Sequence, residues 1–237
     1  MFLPPVHAEP ESSVLFQFIR ENPLGMLITG IKSSQEFLQC THAPFVLDLP
    51  EETTGSPPQG RLRAHIAKQN PQVKGMIEEL VTKSNIVELE DNVLVVFNDT
   101  GKVVPTWNYS AVQVYGKLCL YYDSKTPEAG AFLAKQIDDL SQHTEKSVMG
   151  HTGGENPQPW KVSDAPRKYI ELMQRNIVGI EVRIEKVQGK FKMSQEMKPG
   201  DREGVVVGFA RMGGENAEGI SNLVKERGAL HDARAQK

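Results

Sequence analysis

The chain has 237 residues, with 27 Lys and Arg against 30 Asp and Glu, a net charge of −3. Hydrophobic residues make up 39% and charged residues 24%, the balance of a globular protein whose folding buries roughly 70% of the extended surface. This composition argues against a constitutive polyanion binder, which needs many Lys and Arg contacts to phosphates.

The N-terminus Met1-Phe2-Leu3-Pro4-Pro5 has neither the basic start nor the long apolar stretch of a secretory signal. No apolar run approaches the ~20 residues of a membrane helix; Val93 to Phe97 is the longest compact one. The only cysteines are Cys40 and Cys119, far apart in sequence, so no disulfide framework is expected and a reducing, cytosolic setting is.

Taken in chain order, residues 12–22 predict a short helix carrying Val14, Leu15, Phe16, Phe18 and Ile19 and closed by Pro23. Two strands follow at 24–31 and 37–49, then a flexible loop at 51–60 rich in proline, glycine and hydroxyl residues. Residues 61–67 predict a strand, and Asn70 opens a helix with Pro71 at its first position. Residues 87–97 and 111–122 read as strands, the first ending in a nearly continuous apolar run. Helices are expected at 127–143 and 164–176. The alternation Val178, Ile180, Val182, Ile184 predicts a strand, with 187–193 a further strand paired to it. Helices at 202–212 and 216–227 close the chain. Strands with unevenly inserted helices point to an α+β fold built on a small barrel, with no internal repeat.

Three polar clusters sit where strands end. The first, "LRAHIAKQNPQVK" at 62–74, runs from strand through Lys68 and Asn70 to a helix N-terminus. Exposed N–H groups there attract anions, and Lys68, Asn70, Gln72 and Lys74 add charge and donors suited to a phosphate monoester. Equally, Asn70 can simply cap the helix. The second, "KVVPTWNYS" at 102–110, places Trp107 and Tyr109 beside Asn108, which suits a planar heteroaromatic ligand or a pair of core aromatics. In the third, "GKFKMSQ" at 189–195, alternation puts Lys190, Lys192 and Ser194 on one face and Phe191, Met193 and Gln195 on the other. The polar face can meet a ligand or be the lysine-bearing face of an edge strand. His143, Glu145, His151 and Glu155 lack metal-ligand spacing, so no metal is expected. The sequence marks no nucleophile and leaves catalytic residues unassigned.

"LRAHIAKQNPQ", "VVPTWNYSAVQVYG" and "GKFKMSQ", in this order, resemble the PaiB-type FMN-binding negative transcriptional regulators. "FIRENPLG", "THAPFVLD", "PWKVSDAP" and "DREGVVVGF" extend the resemblance over nearly the whole chain, and "SAVQVYGKL" with "GGENPQPWKVSDAP" is similar to a fungal branch.

The resemblance implies an α+β fold: a six-stranded split β-barrel with peripheral helices and a C-terminal helical pair. It forms one domain over 1–237, with a core of about 1–195, a helical extension over 196–230 and a short tail. It implies a homodimer with FMN at the subunit interface. The flavin phosphate is expected at Arg63, His65, Ile66, Ala67, Lys68, Asn70 and Gln72, and the ring near Thr41 and His42. Thr106, Trp107 and Asn108 are ring or ribityl candidates, with Lys192, Ser194 and Gln195 as further contacts. Family members carry an aromatic- and His-rich segment between "VLVVF" and "GKVVPTWNY", where this chain has only Asn98-Asp99-Thr100-Gly101.

The function this implies is a flavin-binding regulator or sensor. The alternative is an FMN-dependent oxidoreductase with a small-molecule substrate and a nicotinamide donor, in which His42 and His65 are the first candidates for proton transfer. Direct DNA binding by the C-terminal helices is not expected, because Asp201, Glu203, Glu215, Glu218 and Glu226 offset Arg202, Arg211, Lys225 and Arg227.

Overall fold

A computed structural model describes residues 1–50, 60–80, 86–98 and 108–235. In chain order the elements are β1 (Ala8–Glu9), α1 (Ser12–Glu21), β2 (Leu24–Gly30), β3 (Leu38–Pro44), β4 (Val46–Asp48), β5 (Arg61–Ala67) and α2 (Pro71–Leu80). There follow β6 (Ile86–Asn98), β7 (Tyr109–Tyr121), α3 (Pro127–His143), α4 (Arg167–Gln174), β8 (Ile177–Lys192), α5 (Pro199–Met212) and α6 (Glu215–Ala235). The sheet order is β3-β2-β6-β7-β8-β5-β4, with β1 also paired to β8, and the pairs β1–β8, β2–β3, β4–β5 and β5–β8 are antiparallel. The fold is α+β, as expected. Two short strands, β1 and β4, bring the count among the described residues to eight.

The chain forms two compact units, each drawn from separated stretches, and β6, β7 and β8 contribute residues to both. The unit of residues 23–95 and 114–186 holds β2 to β5, α2, α3 and α4. Here β3, at one end of the strand order, packs against β5, near the other end, so the sheet curls back on itself in the manner of a split barrel. Alternation selects the inner face: Leu27 of β2, Leu62, Ala64 and Ile66 of β5, and Val178, Ile180 and Val182 of β8 are all buried. Each fully buried Leu, Ile or Val side chain of this set contributes about 1.5–3 kcal/mol. Thr126 caps α3, its hydroxyl accepting from the Ala129 N–H at 3.3 Å, with Pro127 in the first turn. Phe132 of α3 stacks on Tyr121 at 4.1 Å between ring centroids.

The unit of residues 1–22, 96–113 and 187–237 is built on α1 and the C-terminal helices. Helix α1 buries Leu15, Phe16, Phe18 and Ile19, and Phe18 meets Phe191 edge-on at 5.8 Å. Helices α5 and α6 pack as a hairpin joined through Gly213 and Gly214, whose φ of 68° and 88° favour glycine. Met193, Val206, Ile220 and Val224 form its core.

Two expectations change. Residues 187–193 do not return to pair with their predecessor. They continue it, and β8 is one strand of 16 residues reaching Lys192. The strand expected at 37–49 breaks at Phe45, whose N–H donates to the Pro23 carbonyl at 2.8 Å, so β3 pairs with β2 and β4 with β5. The expected loop at 51–60 lies outside the described residues except for Gly60.

Candidate functional site

The first cluster lies in the unit of residues 23–95 and 114–186. From Arg61 onward β5 alternates faces, so Leu62, Ala64 and Ile66 enter the core while Arg63 and His65 share the opposite face. The strand gives way to an exposed turn at Lys68 and Gln69, held by the Lys68 N–H donating to the Asn176 carbonyl at 2.8 Å. Asn70 then caps α2: its Oδ1 accepts from the Gln72 N–H at 2.8 Å, and its Nδ2 donates to Thr41 Oγ1 at 3.1 Å. The capping role open at the sequence level is therefore real, and it ties the helix start to β3.

The start of α2 carries no acidic residue in its first turn, and Lys68 and Lys74 are exposed on either side of it. Pro71 has no N–H, the Gln72 N–H is held by Asn70 and Val73 is fully buried, so what this helix start offers a phosphate monoester is its dipole and the exposed Lys68 and Lys74 side chains. Ala67 is exposed beside the turn, and exposed His42 faces Met26 in the β2–β3 register.

Arg63 requires a correction. Its side chain is only 5% exposed and all three guanidinium nitrogens are bonded within the protein. Nε and Nη2 clasp Asp48 at 2.5 and 3.0 Å, Nη1 donates to Gln136 Oε1 at 3.0 Å, and Nη2 also meets Asp139 at 2.5 Å. Burial disfavours its charge, but Asp48 and Asp139 outweigh that and hold its pKa above the ordinary arginine value. For Asp139, burial acts to raise the carboxyl, while Lys135 and Arg63 prevail and lower it. Arg63 pins β5 to α3 and β4, with four of its five N–H donors engaged by Asp48, Gln136 and Asp139 inside the protein.

Gln72 is likewise buried. Its Nε2 donates to the Leu27 and Gln39 carbonyls and to Thr29 Oγ1, bracing α2 on β2 and β3. Ile66 is a core residue. His65 lines a cleft under α3 and α4. Its Nδ1 is buried with no hydrogen-bond partner, and burial lowers its pKa, leaving a neutral imidazole.

Of the second cluster, Thr106 and Trp107 lie outside the described residues. Asn108 is buried, and in its own unit its Oδ1 accepts from Ser194 Oγ at 2.9 Å. The third cluster is a structural lock. Ser194 takes a left-handed φ of 60°, and Gln195 folds back so that its Oε1 accepts from the Met193 N–H at 2.6 Å. Gln195 Nε2 donates to the Phe191 and Val6 carbonyls at 2.5 and 3.2 Å. Ser194 and Gln195 thus terminate β8 instead of presenting donors to a ligand. Lys192 is half-buried.

Both thiols are free, and burial pushes Cys40 and Cys119 up, away from thiolate character. Among the described residues no group of three His, Cys, Asp or Glu side chains is placed to hold a metal, and no helix is long and apolar enough to cross a membrane.

Sequence reasoning missed the polar partners of Arg63 on α3, buried Gln136 and half-buried Asp139, and the cleft over His65. The signal for the former was present: the two lie three apart on α3 and so share a face, among apolar residues.

Residues 1–186 match the family described as "Putative FMN-binding domain". A protein of Aspergillus fumigatus is 53% identical over 259 residues, covering 98% of this chain and 99% of that one. The protease synthase and sporulation protein PAI 2 of Bacillus subtilis is 24% identical over 96% of this chain and 98% of its own length. Among solved structures, the conserved hypothetical protein Rv2991 of Mycobacterium tuberculosis covers 84% of this chain and 94% of its own, at 11% identity and a TM-score of 0.49.

Proposed function

This chain belongs to the FMN-binding domain family, and we propose that it is a PaiB-type flavin-binding regulator or sensor that works as a homodimer with FMN at the subunit interface. The observation that carries the cofactor's placement is the start of α2, a helix end with no acid in its first turn and with Lys68 and Lys74 exposed beside it. In this reading Lys68 and Lys74 hold the phosphate, Asn70 and Gln72 keep the helix end in place, and Thr41 and His42 of β3 border the site. When bound, FMN supplies redox chemistry through its ring, and the protein supplies binding and orientation.

Any regulatory action is indirect. In the α5–α6 hairpin Arg202 is bonded to Asp232, and Arg227 is buried against Glu9 and stacked on the Phe191 ring at 3.7 Å. Neither is free to meet a DNA phosphate. The second reading, an FMN-dependent oxidoreductase, is favoured by one observation: the neutral imidazole of His65 lines a cleft of small-molecule size.

The purified protein tests both. Co-purifying flavin absorbance that Lys68→Ala reduces, with unfolding unchanged, supports the cofactor site, and equal flavin content in the variant rejects it. Bleaching by NADH or NADPH selects the oxidoreductase, and flavin indifferent to both selects the sensor.

A further inference from the structure

In the unit of residues 23–95 and 114–186, a cleft of about 470 Å³ opens between α3, α4 and the segment that joins them. Its volume falls within the range of small-molecule sites. Ile137 and Leu140 of α3 form one wall, Ile170 and Met173 of α4 another, and His65 of β5 lies between them.

Three features distinguish it from an ordinary surface groove. Its rim carries large side chains in the open, Trp160 at 47% and Tyr169 at 56% exposure. The Trp160 backbone is tethered, because the Glu145 carboxylate accepts from its backbone N–H at 3.1 Å and contacts His151 Nδ1 at 2.7 Å. Finally, His65 Nδ1 has no hydrogen-bond partner within the protein. An unmet polar group beside an apolar wall is costly, and a ligand polar group that it reaches by a turn of the ring relieves that cost.

The lining also selects charge. It contains no Lys or Arg, and its carboxylate, Glu145, is already bonded to the rim. An anion therefore finds no counter-charge here, whereas Glu145, bonded through Oε2 alone, keeps its negative charge at the rim. We propose that this cleft binds an uncharged aromatic molecule, held between Trp160, Tyr169 and the aliphatic walls, with one polar group directed to His65. No residue of α2, nor Lys68 or Asn70, lines it, so the proposal does not depend on the assignment of the helix start to FMN.

Calorimetric titration of the full-length protein, as purified with any flavin it holds, tests this with p-cresol, toluene and benzoate as probes. p-Cresol is expected to bind once per chain with a Kd below about 1 mM, ahead of toluene and far ahead of benzoate. Ala165 has an extended backbone, φ −84° and ψ 149°, that any residue adopts, so Ala165→Trp fills the cleft without backbone strain. It should weaken p-cresol at least tenfold, and His65→Leu should abolish the preference for p-cresol over toluene. Absence of saturation by about 10 mM, or affinity unmoved by Ala165→Trp, overturns the proposal. So does a dimer that Ala165→Trp converts to monomer in gel filtration, which would make the cleft a contact between copies. Flavin absorbance in the same samples reports on the FMN site independently.

Discussion

Arg63 shows how one side chain can read as a ligand contact and serve as a rivet. Strand alternation places it on the same face as His65, but only the fold reveals that α3 covers this face and brings Gln136 and Asp139 to it. Removing Arg63 leaves buried Gln136 unmatched, while Asp48 and Asp139, 41% and 25% exposed, regain water, so the loss falls below that of a fully buried pair, at about 1–3 kcal/mol. Arg63→Met is therefore expected to lower stability in urea unfolding by that order, while the flavin content of the fraction that remains folded is unchanged. A cofactor contact would give the opposite pattern. His65 carries a different signature. Its pKa is lowered in the folded state, so the unfolded chain binds more protons as pH falls through the ordinary histidine value of 6.5. Its contribution is fully present above that value and is lost below it. Urea midpoints measured from pH 8 to about pH 5.5 should fall in the acid range for the wild type, and His65→Phe should show a shallower fall.

Elements with strong local signals were legible from the sequence. Strand β5 and helix α3 occupy the residues that their alternation and capping predict, and α2 starts at the proline after Asn70. The continuity of β8 was not legible, because a strand buried on varied faces has no clear period to follow from Ile184 to Phe191. Gly189 is there for space: a Cβ at this position would come within 2.0 Å of Leu15 Cδ2 on α1. The break at Phe45 also depends on a tertiary bond, to the Pro23 carbonyl, that no local pattern announces. At the site, the helix start and its lysines were visible in sequence, whereas the cleft over His65 needs α3 and α4 brought together. Two substitutions probe this scale. Asn70→Ala removes both the cap and the tie to Thr41, and should cost about 1–2 kcal/mol in thermal or urea unfolding. Gly116→Ala is expected to be worse, since its Cβ would stand 2.0 Å from the Arg183 carbonyl oxygen, backbone that cannot rotate away. Unchanged stability in that variant would mean β7 and β8 approach less closely than described.

At the scale of the whole chain, neither compact unit is a continuous piece of sequence, so the C-terminal helices are not a simple appendage. The Aspergillus fumigatus alignment spans 259 residues, more than the 237 of this chain, so that relative carries residues absent here. The C-terminal helices, by contrast, are bound into their unit by interactions that reach the first residues of the chain. Val206, Ile220 and Val224 close over Met193, which is fully buried at the end of β8. Arg227 is paired with Glu9 of β1, whose side chain is only 3% exposed, and lies over the Phe191 ring. A chain ended after Gln195 would uncover Met193 and Phe191 together and leave Glu9 without its counter-charge. Surface of that kind binds apolar dyes and weakens cooperative unfolding. The truncated chain is therefore expected to bind anilinonaphthalene sulfonate, lose near-ultraviolet circular dichroism and unfold over a broadened transition. A soluble 1–195 fragment with wild-type midpoint and no dye binding would show instead that the two helices are a separable extension.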